Sequence, residues 1–211
     1  MKKEQEKLLL GAIELSENET VKSMLRSLLL SFQVDRDMKF NLWNYAGRSS
    51  RTTRYDLSGI HYQNGFAEAT NAHLAVRTKQ EYPAALEGKV VFRDGLTSDG
   101  PYPNIAAVLP PKTREISFND EWIKNAILAH KAAKKEKYIG KVKAEVSGRY
   151  FNPDYLQLFH AACKKLNLKT YIGETNGYLF AKNDLGELAL LSDIVVSEED
   201  QDNLMIFRVN L

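Results

Sequence analysis

An Asn-Gly pair between two strand-like runs is the feature that most constrains the fold of this chain. Asn64 and Gly65 separate a run around Ile60 from a second run that ends near Thr70. Both positions of such a two-residue turn need positive φ angles, which Asn and Gly adopt more readily than other residues. The sequence therefore predicts a β-hairpin, with two antiparallel strands joined at residues 64 and 65.

Apolar periodicity predicts helices at residues 4–15, 17–32, 120–137 and 153–166. Ser16 and Glu19 have the spacing of a capping box at the start of the second of these helices. Asn152 suits the N-cap of the last helix and Pro153 suits its first position. Residues 38–47 fit either a short helix or a strand, because their periodicity does not separate the two.

Short strand-like segments lie between and after these helices. They are found at residues 89–92, 114–118, 141–146, 169–173, 178–181, 188–191 and 204–209. Strands and helices do not alternate strictly as in βαβ units, so the sequence predicts an α+β fold. The paired prolines Pro110 and Pro111 indicate a linker. We therefore expect a helical segment at 1–34, a first subdomain at 35–110 and a second subdomain at 111–211.

The composition of the chain excludes several classes of protein. Its 211 residues are 44% hydrophobic and its net charge is +2, so no overall basic excess indicates a nucleic-acid partner. One cysteine, Cys163, excludes a disulfide within the chain and fits a reducing compartment. The N-terminal apolar run contains glutamates and no signal-peptide cleavage site follows it. No apolar run approaches the roughly 20 residues of a membrane span. We expect a cytoplasmic protein without membrane contact.

No motif for catalysis or cofactor binding is visible in the sequence. It contains no G-x-S-x-G, Walker A or dinucleotide fingerprint. No two of its four histidines have metal-ligand spacing. His160 and Cys163 lie three residues apart on a predicted helix, where a packed thiol and a partly buried imidazole are the simpler interpretation. An acidic run at residues 198–202 is typical of a solvated turn. We expect no enzymatic activity, no metal and no cofactor.

Two local basic clusters are the candidates for contacts with DNA. Arg48, Arg51 and Arg54 share one polar loop with serines and threonines, and all of these side chains can bind phosphate. Lys124, Lys131 and Lys135 fall on one side of the predicted helix at 120–137, opposite its apolar side. The alternative interpretation is an ordinary solvated helix face, which also carries lysines opposite an apolar stripe.

Three segments of the chain resemble the bacterial DNA polymerase sliding clamp, the β subunit of DNA polymerase III. They are ATNAHLAV at 69–76, YPNIAAVLP at 102–110 and FNPDYL at 151–156, in the same order as in the family. The resemblance spans roughly residues 40–211. It implies a DNA-clamp-like fold of two subdomains, each with helices packed on antiparallel sheet. In the family, paired helices line a hole around duplex DNA and sheets form the outer rim.

The resemblance also implies a hydrophobic cleft that receives short peptides of polymerases and clamp loaders. The positions that match this cleft are Thr70, His73, Leu74, Pro103 and Val108. Its C-terminal wall corresponds either to Leu190 and Leu191 or to Met205 and Ile206. Ala106 and Ala107 replace two arginines of the family, and no arginine follows His73. An ordinary core or linker role is the alternative for all of these residues.

The sequence thus predicts a non-enzymatic, sliding-clamp-like protein. Its expected partners are duplex DNA, bound without sequence preference, and peptides of polymerases or other replication proteins. A clamp has three domains per chain and this chain has room for two, so a ring would require a homo-oligomer. The alternative is a clamp-derived interaction or regulatory module that does not bind DNA, which the near-neutral charge and the missing arginines favour.

Overall fold

The computed structural model describes residues 3–37, 40–48, 55–108, 113–135, 142–173, 177–194 and 205–208. The α-helices of these residues are α1 (Lys3–Leu15), α2 (Glu19–Asp37), α3 (Asp120–Lys135) and α4 (Pro153–Leu166). The strands are β1 (Ile60–Gln63), β2 (Phe66–Thr70), β3 (Leu74–Lys79), β4 (Lys89–Val91), β5 (Thr97–Ser98), β6 (Thr113–Ile116), β7 (Val142–Val146), β8 (Arg149–Phe151), β9 (Lys169–Gly173), β10 (Tyr178–Lys182), β11 (Leu188–Ser192) and β12 (Met205–Arg208). The predicted α+β class is confirmed.

Contacts between residues divide the chain into two compact units. The first unit comprises Met1–Ala72 and Arg77–Asn104, and the second comprises His73–Val76 and Ile105–Leu211. The sequence placed a boundary at the paired prolines near residue 110, and Pro110 and Pro111 lie outside the described residues. The subdomain limits at 34 and 110 stay predictions.

The first unit begins with two helices that pack against each other, α1 and α2. The Oδ1 atom of Asn18 accepts hydrogen bonds from the N–H groups of Thr20 (2.9 Å) and Val21 (3.2 Å). Asn18 is therefore the N-cap, and the capping box predicted from Ser16 and Glu19 is wrong. An Asx side chain directly before the helix satisfies its first donors, so a cap two residues earlier is not needed.

The predicted hairpin of the first unit is confirmed. Asn64 and Gly65 have φ angles of 54° and 76° and join β1 to β2. The N–H of Asn64 donates to Oε1 of Glu87 (2.9 Å), and the N–H of Gly65 donates to the hydroxyl of Tyr82 (2.9 Å). This hydroxyl in turn donates to Oε2 of Glu87 (2.6 Å). Burial, reinforced by the Glu87 carboxylate, raises the pKa of Tyr82 to about 12.

The sheet of the first unit has the strand order β5-β4-β1-β2-β3, and β3 contributes its residues from Arg77 onward. β1 pairs antiparallel with both β2 and β4. A 3-10 helix at Leu42–Asn44 precedes the sheet and contacts β2, because Leu42 and Tyr45 are buried. Within the ambiguous segment at 38–47, Leu42–Asn44 form this 3-10 helix, and none of the residues described there is in a strand.

The second unit contains two sheets. One has the order β3-β11-β10-β9-β6, starting with the first residues of β3, and the other has the order β12-β7-β8. β12 runs parallel to β7, whereas β8 is antiparallel to β7. The antiparallel sheet expected behind the two helices is confirmed in the pairs β7–β8, β9–β10 and β10–β11. The helices contact strands of two sheets rather than one, and the pair β7–β12 is parallel. A parallel neighbour requires a long crossover, and here the chain between β7 and β12 includes α4 and four strands.

The helices α3 and α4 pack against each other, and both contact β7 while α4 also contacts β11. Their buried residues are Ile123, Ala126, Ile127, His130 and Ala133 in α3, and Pro153, Leu156, Phe159, Ala162 and Cys163 in α4. The predicted start of α4 is confirmed, since Asn152 accepts a hydrogen bond from the N–H of Asp154 (2.9 Å). The apolar residues Tyr155, Leu158 and Leu166 of α4 are only partly buried.

Candidate nucleic-acid interface

The helix α3 presents a row of lysines to solvent. Its N-cap is Asn119, whose Oδ1 accepts a hydrogen bond from the N–H of Glu121 (2.8 Å). The buried face of α3 fixes the rotation of the helix, so Lys124, Lys131 and Lys135 are all exposed. The predicted opposition of apolar and basic faces therefore holds on this helix. Leu128 lies on the same exposed side and 63% of its surface is accessible.

Two ionic clusters join the ends of α3 and α4. In the first, Asp120 at the start of α3 contacts Nε2 of His160 (2.8 Å) and Nζ of Lys164 (2.5 Å) on α4. In the second, Asp154 at the start of α4 contacts Lys134 and, at 3.3 Å, Nε2 of His130 on α3. Because the first turn of each helix meets the last turns of the other, the two helices are antiparallel.

Each cluster combines one aspartate with a histidine and a lysine four residues apart. An aspartate in the first turn and a lysine near the last turn both oppose the partial charges of the helix ends, so the pairing suits both helices. Hydrogen bonds from Lys164 and then His160 lower the pKa of Asp120. Burial raises the pKa of Asp154, but Lys134 and His130 outweigh it and the pKa is lowered.

These lowered pKa values predict a loss of stability in acid. A carboxylate whose pKa is lower in the folded state than in the unfolded state stabilises the protein at any pH above its unfolded-state pKa. That unfolded-state pKa is 3.8 for Asp. That stabilisation disappears as the pH falls from 3.8 through the folded-state pKa. We therefore expect the stability difference between wild type and the double variant Asp120→Asn, Asp154→Asn to be present at pH 6 and to shrink below pH 3.8. Urea titrations followed by circular dichroism measure it, and a difference that stays constant down to pH 2.5 would contradict the assignment.

The two ionic clusters engage some of the lysines on α3 and α4 and leave others without a salt bridge. Lys134 and Lys164 are engaged by Asp154 and Asp120. Among the described residues, Lys124, Lys131 and Lys135 have no carboxylate partner within salt-bridge distance. The exposed side of α3 therefore carries positive charge that no acidic side chain of the described residues neutralises through a salt bridge.

The loop arginines are described only in part. Arg48 is exposed, while Arg51 and Arg54 lie outside the described residues. Arg48 lines an open cavity of about 790 Å³ in the first unit. The structure therefore gives the position of one member of the predicted arginine cluster, Arg48.

The residues expected to line a peptide cleft differ in exposure. In the second unit, Leu74, Leu190 and Leu191 are buried, with exposed fractions of 1%, 5% and 0%. His73 is exposed and its ring stacks on Tyr155 with centroids 5.7 Å apart.

The remaining predicted cleft residues also differ. Val108 is 41% exposed. In the first unit, Thr70 is buried and its Oγ1 accepts a hydrogen bond from the N–H of Ala72 (3.2 Å), while Pro103 is half-buried. For the alternative C-terminal wall, Ile206 is half-buried on β12.

The single thiol and the histidines of the described residues form no reactive site. Burial raises the pKa of Cys163 to about 12, so the thiol stays protonated at neutral pH. His160 contacts Asp120 rather than Cys163. In the described part of the chain, no three His, Cys, Asp or Glu side chains are grouped as metal ligands require. The acidic run at 198–202 lies outside the described residues.

Sequence reasoning missed the two ionic clusters between α3 and α4. The only signal was the repeated spacing of His130 with Lys134 and of His160 with Lys164, four residues apart in each helix. That spacing places both side chains on one helical face but does not show which acid they meet. Within the described residues, no helix is both long and apolar enough to cross a membrane.

Comparison with solved structures returns β subunits of DNA polymerase III from three bacteria. The β subunit of Borrelia burgdorferi, in complex with a natural product, is 11% identical with a TM-score of 0.44, over 78% of this chain and 63% of that chain. The Caulobacter crescentus β subunit is 16% identical with a TM-score of 0.46, over 79% and 63%. The Thermotoga maritima β subunit is 10% identical with a TM-score of 0.46, over 80% and 64%.

These β subunits belong to the family that the three sequence segments resemble. This chain spans slightly less than two thirds of the length of the structures it matches. No family model matches the sequence, and no curated protein matches it.

Proposed function

We propose that this chain is a non-enzymatic, clamp-like protein that binds duplex DNA without sequence preference. The observation that carries the proposal is the row of exposed lysines on α3, Lys124, Lys131 and Lys135, which lack acidic partners among the described residues. At 1.5 Å per residue the row extends over about 16 Å, roughly half of one turn of B-DNA. An ammonium group binds phosphate as a point charge, so such contacts position a protein on DNA without reading bases.

The proposal extends to the arginine loop and to the cellular location. Arg48, Arg51 and Arg54 would add phosphate contacts from the first unit, since a guanidinium binds phosphate with two hydrogen bonds. The protein would act in the cytoplasm and need no cofactor. Encircling a duplex would require several copies of the chain, because one copy has two units.

Salt dependence of binding tests the proposal directly. Replacing Lys124, Lys131 and Lys135 together by Gln should weaken binding to a 20-base-pair duplex and flatten its dependence on salt. Each lost phosphate contact changes the slope of log K against log salt by about 0.9, so three contacts change it by roughly 2.7. Fluorescence anisotropy titrations between about 25 and 200 mM salt measure both the affinity and the salt slope, because losses of affinity are large in this range.

The matched control removes lysines from the sheet of the same unit. Lys169 and Lys182 are exposed cross-strand neighbours on β9 and β10, and both would be replaced by Gln. This control should leave the salt slope unchanged. Equal effects of the two variants, or no binding to duplex at low salt, would reject the DNA proposal and favour the regulatory-module alternative.

A second candidate function, capture of a short apolar peptide, is favoured by one observation on the second unit. His73 and Val108 are exposed, and the His73 ring is held flat against Tyr155. Exposed apolar and aromatic groups held in place are what peptide anchors use. Leu74, Leu190 and Leu191 are buried in this unit, so the candidate rests on the exposed His73 and Val108.

A further inference from the structure

One feature of the first unit that the proposals above leave unexplained is an open cavity of about 790 Å³. Its lining includes Trp43, Arg48, Ser58, Phe92, Arg93 and Asp94. The volume falls within the range of about 300 to 1,000 Å³ that small-molecule sites occupy. The cavity combines aromatic rings with two guanidinium groups. It shares Arg48 with the arginine loop proposed for duplex DNA, whereas the α3 lysines and the peptide candidate do not use it.

One wall of the cavity is fixed by the 3-10 helix at Leu42–Asn44. The side chain of Asn41 caps this helix by accepting a hydrogen bond from the N–H of Trp43 (3.1 Å). Leu42 and Tyr45 on either side are buried, which anchors the segment that carries Trp43. The N–H of Gly47 donates to the carbonyl oxygen of Leu57 (2.8 Å), so the backbone just before Arg48 is also held.

The opposite wall is the tight turn between β4 and β5. The N–H of Phe92 donates to the carbonyl oxygen of Leu96 (2.9 Å), and Gly95 occupies the positive-φ position at 84°. Oδ1 of Asp94 accepts a hydrogen bond from the N–H of Leu96 (3.0 Å). The one carboxylate of the lining is therefore already engaged within its own turn.

Arg93 connects the two walls. Its Nη2 donates to the carbonyl oxygen of Trp43 (3.0 Å), and its Cζ lies 4.9 Å from the centroid of the Trp43 ring. This arrangement orients the guanidinium over the indole and leaves further N–H groups of the fork for a ligand. Arg48 is exposed and has no carboxylate partner among the described residues.

We infer that this cavity binds a nucleotide unit, with the base against the Trp43–Arg93 pair and the phosphate on Arg48. The cavity carries two guanidinium groups, of Arg48 and Arg93, and one carboxylate, of Asp94, so its net positive charge favours an anionic ligand. An Arg side chain also matches the geometry of a phosphate, which it binds with two parallel hydrogen bonds. The indole ring of Trp43 lies beside this charge, so the site favours an anion that also carries a flat ring. Unpaired nucleic-acid bases bind proteins in this way, by stacking on aromatic side chains. The nucleotide unit comes either from a free mononucleotide or from single-stranded DNA.

Tryptophan fluorescence reports on ligand binding at the cavity when Trp43 is the only tryptophan of the protein. The chain has two tryptophans, so the full-length Trp122→Phe variant isolates Trp43. We expect titration with a 12-nucleotide oligo-dT to quench its emission saturably. Quenching by dTMP as well identifies a free nucleotide as a ligand, and quenching by oligo-dT alone identifies the strand as the source. No saturable quenching by either probe overturns the inference.

Variants assign the binding to the cavity. Arg93→Ala and Trp43→Ala, measured by anisotropy of labelled oligo-dT, should each weaken binding about ten-fold, the size expected for a lost stacking platform. The control is Arg26→Ala, an exposed arginine on α2 that does not line the cavity. An unchanged affinity in both cavity variants, or an equal loss in the control, rejects the site.

Two further comparisons separate this site from its rivals. The triple Lys→Gln variant of α3 should lose duplex binding yet keep the quenching of Trp43 by oligo-dT, so each proposal can fail without the other. A 12-residue peptide of Asp and Glu should not displace oligo-dT. Displacement at equal concentration would show that the arginines recognise carboxylates of a protein partner, and would overturn the nucleotide assignment.

Discussion

Leu74→Asp is expected to unfold the protein. Leu74 begins β3, and only 1% of its surface is accessible. Truncating a buried leucine costs about 2 to 5 kcal/mol, and burying a carboxylate in its place adds a desolvation penalty. We expect a loss of at least about 4 kcal/mol, which is most of the stability of many domains. Urea titration by circular dichroism measures the loss.

Position 108 provides the matched comparison for position 74. Val108 is 41% exposed, so Val108→Asp adds the same charge without burying it and should cost less than about 0.5 kcal/mol. If the peptide candidate is correct, Val108→Asp weakens binding of an apolar clamp-binding peptide while the protein stays folded. Wild-type stability in Leu74→Asp would contradict the core role of Leu74 and return its side chain to an accessible groove.

The parts of the fold that depend on short-range rules could be predicted from sequence. Asn64 and Gly65 specify the hairpin because few other residues tolerate two consecutive positive φ angles. Asn152 and Pro153 specify the start of α4 because one accepts the free N–H groups and the other lacks an N–H to satisfy. The exposure of the lysines on α3 follows in the same way from helical periodicity.

Other features depended on a choice between near-equal local signals or on distant pairing. Ser16 and Asn18 are both good caps, and only the path of the chain between α1 and α2 selects Asn18. The parallel pairing of β12 with β7 joins residues more than sixty positions apart, and strand patterns do not specify such partners. The cavity around Trp43 likewise combines a loop with a turn some fifty residues later, which no motif announces.

The hairpin of the first unit also carries a buried ionic group that the sequence did not reveal. Glu68 is 7% exposed, and its Oε2 lies 3.0 Å from Nδ1 of His61. Nε of Arg77 lies 3.3 Å from Oε1 of Glu68 without hydrogen-bond geometry, so this contact is an ion pair. The ring of His61 stacks on Tyr102 at 4.7 Å, and the guanidinium of Arg77 lies 3.8 Å over Phe66. One carboxylate thus holds two cationic or polar groups inside the sheet.

Glu68→Gln is expected to lower the free energy of unfolding by about 3 kcal/mol. The substitution keeps the shape of the side chain but removes its charge, which leaves Arg77 largely buried without a counter-ion. Asp99→Asn is the matched control, because it removes the partner of Lys89 at a site where Asp99 is 82% exposed. Exposed pairs contribute less than about 1 kcal/mol, so the control should change little.

A double-variant cycle separates the buried charge from lost packing at this site. Replacing Arg77 by Met together with Glu68→Gln removes both charges and keeps an apolar chain over Phe66. This double variant should be more stable than Glu68→Gln alone, because the penalty of Glu68→Gln comes from an uncompensated charge rather than from a lost attraction. Chemical denaturation of the four proteins gives the coupling energy. A cost for Glu68→Gln no larger than that for Asp99→Asn would show that the Glu68 carboxylate is dispensable to the hairpin.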